Sequence, residues 1–371
     1  MEKIDVAIIG AGVVGLAIAS SLTEEFGDVY VFEKNNSFGK ETSSRNSEIL
    51  HGALVYYPKN SLKAKLCASG INFIYGLNPE IVPYRKTGKL IVAKTDEEIS
   101  KLESLLKRGL ENGAESLRLI DQKEIKKLEP EMNALAAIYS PETGIVSSHK
   151  LMEYFLETTK HNSGLEPVIY RAEVIGIDKV KEGYKITFKQ DNKEETFFAR
   201  ILVNSAGLHS ERIAKMAGID TVSAGYELEF WKGEYFSVNG KHKGKTSRLI
   251  YPLPGKVGLG IHTVLDLEGN LKLGPNAFHV DDIDYMVDES KKREFYESMK
   301  DILPFLQLDD LQPDMAGIRP KLKETDDFII KEESETGFPG FINLTGIGSP
   351  GLTAAPAIGK FVKELIKKCS K

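Results

Sequence analysis

One stretch constrains this chain more than any other: Asp5 to Glu33, DVAIIGAGVVGLAIASSLTEEFGDVYVFE. The apolar run Val6-Ala7-Ile8-Ile9 fits a buried parallel strand. It enters Gly10-Ala11-Gly12-Val13-Val14-Gly15, a small-residue helix follows from Leu16 to Leu22, and a second apolar strand, Val29 to Phe32, ends in Glu33. Each position has a mechanical use. Gly10 permits the tight turn, Gly12 lets a pyrophosphate approach the backbone, and Gly15 lets helix and strand pack closely, with Val14 in the same turn. The helix start offers unpaired N–H groups to phosphate, and an acid about 20 residues on suits a ribose hydroxyl. The stretch therefore predicts a βαβ unit that binds a dinucleotide.

With 371 residues, the chain exceeds the usual size of one domain, so two interleaved domains are expected. A net charge of −5 without a basic block gives no reason to expect a nucleic-acid partner. No apolar run reaches the ~18 residues of a membrane span, and no signal-peptide pattern precedes the first strand. A cytoplasmic protein is the simplest expectation. Cys67 and Cys369 lie far apart, and His209, His242 and His279 have no companions at ligand spacing, so neither a disulfide framework nor a metal is expected.

Beyond Glu33 the chain turns polar from Lys34 to Ser47. Helical spacing marks Ser61 to Leu77, Asp96 to Gly113, Asp121 to Leu128 and Ser148 to His161. Tyr84 to Lys94 reads as a strand pair around Lys86-Thr87-Gly88. Glu166 to Lys179, Tyr184 to Gln190 and Thr196 to Val203 read as strands meandering at a sheet edge. From Tyr226 to His262 the pattern is antiparallel, with strands at Glu227 to Phe230, Glu234 to Val238, Leu249 to Pro252 and Val257 to Ile261; Asp282 to Met299 is polar and mostly helical.

Two further corners repeat the theme of the first. Ile201-Leu202-Val203 ends in Asn204-Ser205-Ala206-Gly207, and Gly340 to Leu344 ends in Thr345-Gly346-Ile347-Gly348-Ser349-Pro350-Gly351 before a closing helix, Leu352 to Lys368. Small residues at strand ends leave room for a flat ring, and the helix start can face an anion or carbonyl oxygen. The expected architecture is α/β: a Rossmann-type domain from residues 1–55, 140–220 and 325–371, interleaved with a substrate domain built on an antiparallel sheet from 56–139 and 221–324.

The motifs Gly10 to Ala19, Ser43 to Ser47 leading to His51-Gly52, Tyr56 to Cys67, Gly233 to Phe236, Tyr251 to Pro254, Gly260 to His262, Gly274 to Ala277 and Ala316 to Lys321 resemble one family across essentially the whole chain. It is the D-amino-acid-oxidase-type family of FAD-dependent oxidoreductases and, within it, the L-2-hydroxyglutarate dehydrogenase-like group. The resemblance implies FAD as cofactor, with Glu33 on the adenosine ribose and Gly10, Gly12 and Gly15 at the pyrophosphate. It places Lys34, Ser43, Ser44, Arg45, Asn46, Val174, Ala206, Gly207 and Arg319 at the cofactor. Gly346, Gly348, Ser349, Pro350, Gly351, Leu352 and Thr353 are placed along the flavin.

The implied reaction is oxidation of a small 2-hydroxy carboxylate to the 2-oxo acid, the Cα hydride passing to flavin N5, with L-2-hydroxyglutarate as lead substrate. The alternatives are an amino acid or N-methyl amino acid on the same scaffold, or a non-catalytic flavoprotein subunit. His51 is read as the proton acceptor or a flavin contact, as a covalent flavin link, or as a structural residue; His262 is the rival base. Arg319 presents a planar fork that matches a carboxylate, or pairs with a structural acid. Tyr251 is a hydroxyl donor or a core residue, and Tyr56, Tyr57 and Lys59 line an entrance or simply pack. The electron acceptor, whether dioxygen, a quinone or a protein, is left open. The basic segment Phe361 to Lys371 reads as a solvated helix face ahead of a membrane contact.

Overall fold

The computed structural model describes residues 2–255 and 259–369. The chain divides into two units: one from residues 1–44, 148–230 and 319–371, the other from 45–147 and 231–318. These boundaries differ from the expected ones because the divisions fall inside continuous strands, Leu228–Val238 and Leu311–Leu322, and beside short ones. Arg45, Asn46 and His51 thereby join the second unit, and Arg319 joins the first.

The first unit is organised by the strand Glu2–Ile9, whose Val6, Ala7 and Ile8 are fully buried. It pairs in parallel with Val29–Glu33 on one side and Lys193–Asn204 on the other. Val168–Tyr170 extends the parallel run beyond Val29–Glu33. On the other side, the second half of Lys193–Asn204 pairs in parallel with Phe338–Thr345, whereas its first half joins an antiparallel meander with Gly183–Gln190 and Glu173–Val180. The meander matches the expectation, and the segment Glu166 to Lys179 proves to be two strands broken at Arg171, which has positive φ. Register aligns Ile9 with Phe32 and Asn204, and Asn204 with Asn343. The Gly-rich corners therefore leave the same edge of the sheet.

Helices Val13–Leu22 and Gly351–Cys369 pack with almost no space between them. A Cβ on Gly359 would lie 2.5 Å from the Ala17 carbonyl oxygen and 2.6 Å from Ser21 Oγ. On the outer face of the closing helix, Lys363 pairs with Glu24 and Glu25, and Lys367 lies 2.7 Å from Glu25. Lys363 and Lys367 are thus held in ion pairs, which add little stability each, and Lys371 lies outside the described residues. No helix among the described residues is long and apolar enough to cross a membrane.

Among the described residues, the second unit holds three sheets. Strands Thr263–Leu265, Leu271–Leu273, Leu228–Val238, Phe278–Val280 and Leu311–Leu322 form one; Ile49–Leu50, Gly144–Val146 and Tyr84–Arg85 form a small antiparallel one. The sheet that bears on function runs Leu249–Tyr251, Lys89–Ala93, Ala136–Ser140, Arg118–Asp121. Four sequence readings are corrected here. Leu249–Tyr251 pairs in parallel with Lys89–Ile91 rather than continuing an antiparallel run. Glu227 to Phe230 and Glu234 to Val238 are one strand, because Trp231-Lys232-Gly233 does not turn. Only residues 289–299 of the expected helix Asp282 to Met299 are helical. Finally, part of the expected strand Val257 to Ile261 lies outside the described residues, and the described part is a turn, so that strand pairing begins after His262, at Thr263.

Gly359→Val should cost about 2 kcal/mol through overpacking between the two helices. It should lower the thermal unfolding midpoint by several degrees. Gly240→Ala, where an added methyl meets open space, should leave the midpoint unchanged.

Candidate active site

In the first unit, three corners make a cradle. Gly10 sits at φ +102°, and a Cβ there would lie 2.8 Å from the Ser205 carbonyl oxygen. A Cβ on Gly15 would collide with the Gly10 carbonyl oxygen. Only glycine allows this strand–turn–helix approach. The helix Val13–Leu22 has no acid in its first turn and no side-chain cap from Gly12, so part of its N-terminal field remains for an external anion. Ser43 Oγ accepts from Val13 N–H at 3.0 Å, bringing the polar segment back over the turn. Ser44 lies exposed beside it, its Oγ donating to the Glu41 carbonyl at 3.2 Å.

Glu33 is buried at the end of its strand. It accepts from Ala11 N–H at 2.9 Å, and from the Asn35 backbone and side chain at 2.8 and 2.7 Å. A carboxylate so oriented at the tip of the glycine turn is the acceptor that a ribose requires. Lys34 is tied to Glu41 and His209, each at 2.7 Å. Although burial works the other way, the hydrogen bonds from His209 and Lys34 hold the Glu41 carboxyl down at about 2.

The other corners are locked by buried amides. Asn204 Nδ2 donates to Asn343 Oδ1 at 2.7 Å and to the Ser210 carbonyl at 2.8 Å, and Ser205 Oγ donates to the Ile9 carbonyl at 2.9 Å. Next to them, a Cβ on Gly207 would meet open space. At the third corner Gly346 has φ +70°, the Gly351–Cys369 helix begins after Pro350, and Gly348 lies against Arg319 and Pro320. Arg319 is half-buried and has no carboxylate within ion-pair distance among the described residues. The reading of Arg319 as half of a structural ion pair is thereby removed. Val174 packs its side chain in the core of this unit, opposite Phe188, so that any contact it makes with a ligand falls to its backbone.

In the second unit, Arg45 lies with its guanidinium 4.1 Å from the Tyr285 ring, and Asn46 accepts from Glu48 N–H at 2.8 Å. His51, Tyr56, Tyr251 and His262 gather around a residue the sequence did not mark, Lys89. Strand register brings this about: Leu249 stands opposite Lys89, so Tyr251, two residues on, projects from the same face. Thr263 Oγ1 accepts from Ile250 N–H at 2.6 Å and holds the next turn against that strand. His262 accordingly stacks on Tyr251 with ring centroids 3.7 Å apart. His262 Nδ1–H donates to the Gly260 carbonyl at 2.8 Å, which leaves Nε2 as an acceptor.

Lys89 is 1% exposed, with Nζ 4.3 Å from the Tyr251 ring centroid and 5.1 Å from that of Tyr56. Burial brings its pKa down to about 7. The His51 pKa is lowered well below the usual histidine range, first by desolvation and then by the charges of Lys89 and His262. Its backbone carbonyl accepts from Cys67 Sγ at 3.3 Å. Of the expected entrance residues, Tyr57 packs in the core and Lys59 lies 3.7 Å from Glu111 at the surface. The only sequence signal for Lys89 was a lysine opening an otherwise apolar strand, Leu90 to Ala93.

A glycine cradle with a buried carboxylate, in a chain that also carries a neutral desolvated histidine, defines a dinucleotide-dependent oxidoreductase. The comparisons narrow this class. The family model described as FAD dependent oxidoreductase (DAO) matches residues 5–365, and the chain belongs to that family. It is 34% identical to the mitochondrial L-2-hydroxyglutarate dehydrogenase of Arabidopsis thaliana, over 97% of this chain and 83% of that one. It is 32% identical to a glycerol 3-phosphate dehydrogenase of Caloramator mitchellensis, over 99% and 74%. Among solved structures, the dithionite-reduced, FAD-bound L-alpha-glycerophosphate oxidase of Mycoplasma pneumoniae superposes with a TM-score of 0.90 at 27% identity, covering 99% of this chain and 95% of that one. The chain is an FAD-dependent oxidoreductase, and the cradle residues fit that cofactor.

Glu33→Ala should remove a charge-assisted acceptor worth about 1.5–3 kcal/mol. Flavin affinity should fall about 10- to 100-fold, read as the flavin-to-protein absorbance ratio after gel filtration.

Proposed function

We propose that the protein oxidises a small 2-hydroxy carboxylate to the 2-oxo acid, with L-2-hydroxyglutarate as the lead substrate. The observation that carries this reading is His51, a desolvated imidazole whose environment keeps it neutral. Oxidising an alcohol carbon requires the hydroxyl proton to leave, and a neutral imidazole is the base for that task near neutral pH. Bound FAD supplies a two-electron acceptor for the carbon-bound hydrogen.

The remaining work is done by this chain's own side chains. His51 accepts the hydroxyl proton. Arg319, which has no carboxylate partner among the described residues, supplies a guanidinium fork for the carboxylate next to the oxidised carbon. The likeness to L-2-hydroxyglutarate dehydrogenase supports this substrate class. The likeness to a glycerol 3-phosphate dehydrogenase favours a second reading, a phosphorylated alcohol, which calls for the same base.

The test is an anaerobic substrate panel read by flavin absorbance. L-2-hydroxyglutarate should bleach the oxidised flavin. A panel in which only amino acids, or only glycerol 3-phosphate, bleach it would overturn the lead reading.

His51→Ala should lower kcat about 10²- to 10⁴-fold, with flavin content kept. Because the His51 pKa is lowered, the base form persists as the pH falls through 6.5. The acid limb of kcat/KM should therefore lie well below 6.5, as a pH–rate profile would show. Arg319→Met should raise KM for the carboxylate more than it changes flavin content, and acid precipitation should leave a colourless pellet.

A further inference from the structure

A buried ammonium is costly unless an anion compensates it, and Lys89 has none of its own. Lys89 lies in the core of the second unit, on the strand Lys89–Ala93. No carboxylate among the described residues lies within ion-pair distance of its Nζ. The groups facing it are the rings of Tyr56 and Tyr251, the imidazole of His51 and the thiol of Cys67, with His262 stacked on Tyr251. The neighbouring helix Asp96–Glu111 turns Leu102 and Leu105 inward and leaves Glu97 and Glu103 exposed. The adjacent strand places Ser140 opposite Lys89. Two aromatic faces soften the desolvation of a cation, but they carry no formal charge.

A second observation points to a ligand at this place. The Tyr56 hydroxyl is buried and has no hydrogen-bond partner in the structure. Burial raises its pKa, so it keeps its proton and remains a donor. An unused donor and an uncompensated cation beside one another ask for an anionic oxygen. His51 and Tyr56 are only half-buried, so this cluster is not sealed within its unit.

We propose that Lys89, with the Tyr56 hydroxyl, receives an anionic group of the substrate remote from the carbon that is oxidised, which makes the substrate a dianion. The identity of that dianion as a dicarboxylate rests on the 2-hydroxy carboxylate reading above; the anion receptor itself does not. A distal carboxylate and a phosphate satisfy the same chemistry. The specificity of the enzyme follows: a monocarboxylic 2-hydroxy acid leaves Lys89 uncompensated in the complex.

The holoenzyme, wild type and Lys89→Met, is assayed with L-2-hydroxyglutarate, with its one-carboxylate analogue L-2-hydroxybutyrate, and with L-glycerol 3-phosphate. Lys89→Met should lower kcat/KM for the preferred dianion by about 30-fold or more, mainly through KM, and change that for the monocarboxylate less than about threefold. Whichever of carboxylate and phosphate shows the loss identifies the anion. An equal loss on dianion and monoanion would overturn the assignment.

Two further measurements need no turnover by the variant. In the wild type, the preference for dianion over monoanion should fall about tenfold or more as the pH rises from 6 to 9, because Lys89 loses its proton near 7 in the free enzyme. A preference independent of pH would count against the proposal. Titration with glutarate and butyrate, neither of which can be oxidised at a hydroxyl, should perturb the flavin spectrum at lower concentration for glutarate, and Lys89→Met should abolish that difference. If amino acids alone bleach the flavin yet glutarate still binds through Lys89, the substrate reading fails and the anion receptor stands. If hydroxyglutarate is oxidised while Lys89→Met binds glutarate normally, the receptor fails and the substrate reading stands.

Discussion

Everything in the first unit depends on how closely a helix can approach a strand when side chains are missing. Gly15 presses on the Gly10 carbonyl and Gly359 presses on that of Ala17, so the first and last helices share one side of the central strand. A methyl group at either place would push an element outward by ångströms, since packed interiors have no slack to absorb it. With the spacing fixed, three strand ends come into register at Ile9, Asn204 and Asn343. The amide pair Asn204–Asn343 and the Ser210–Thr345 hydroxyl pair at 3.1 Å then lock the second corner to the third. Backbone donors are thereby left facing the place where a phosphate chain and a flat ring are expected.

The second unit works by the opposite means, gathering polar groups and withholding their usual partners. Desolvation lowers the proton affinity of both His51 and Lys89, and the charges of Lys89 and His262 add to the effect at His51. The result is a neutral imidazole at His51 and an ammonium at Lys89 poised between its two forms. Contrast this with Glu129, equally buried but satisfied by Ser247 and Arg248, or with Glu234, which lies 2.8 Å from Lys291. Those carboxylates hold the framework. The Lys89 cluster is where the framework leaves charge available for something else.

How much was legible in the sequence follows from this difference. The glycine corners could be read because their signal is local: a residue type, a spacing, and an apolar run before them. The parallel strands, the meander and the helix Asp96–Glu111 were legible for the same reason. Lys89 was not, because its burial depends on Leu249–Tyr251 lying alongside it in parallel, a pairing across 160 residues that no periodicity records. His262 was noticed, but as the end of a strand; its stacking on Tyr251 comes from the Thr263–Ile250 hydrogen bond. Val174 was placed at the cofactor by resemblance, and the burial of its side chain, which the sequence did not record, leaves that part to its backbone. Arg319 shows a middle case. The sequence offered a clamp or an ion pair, and the lack of a carboxylate at hand among the described residues weighs against the second.

The chain passes between its two units four times, and the crossings near Phe230 and Ile318 fall within unbroken strands. The strand Glu2–Ile9 precedes Phe338–Thr345, which joins the same sheet on the far side of Lys193–Asn204, by more than 300 residues. The turn that starts the cofactor cradle must wait, with apolar strands on hand, for the corner that finishes it. Closure of the cradle is therefore dominated by contacts between distant parts of the chain, the kind that form slowly.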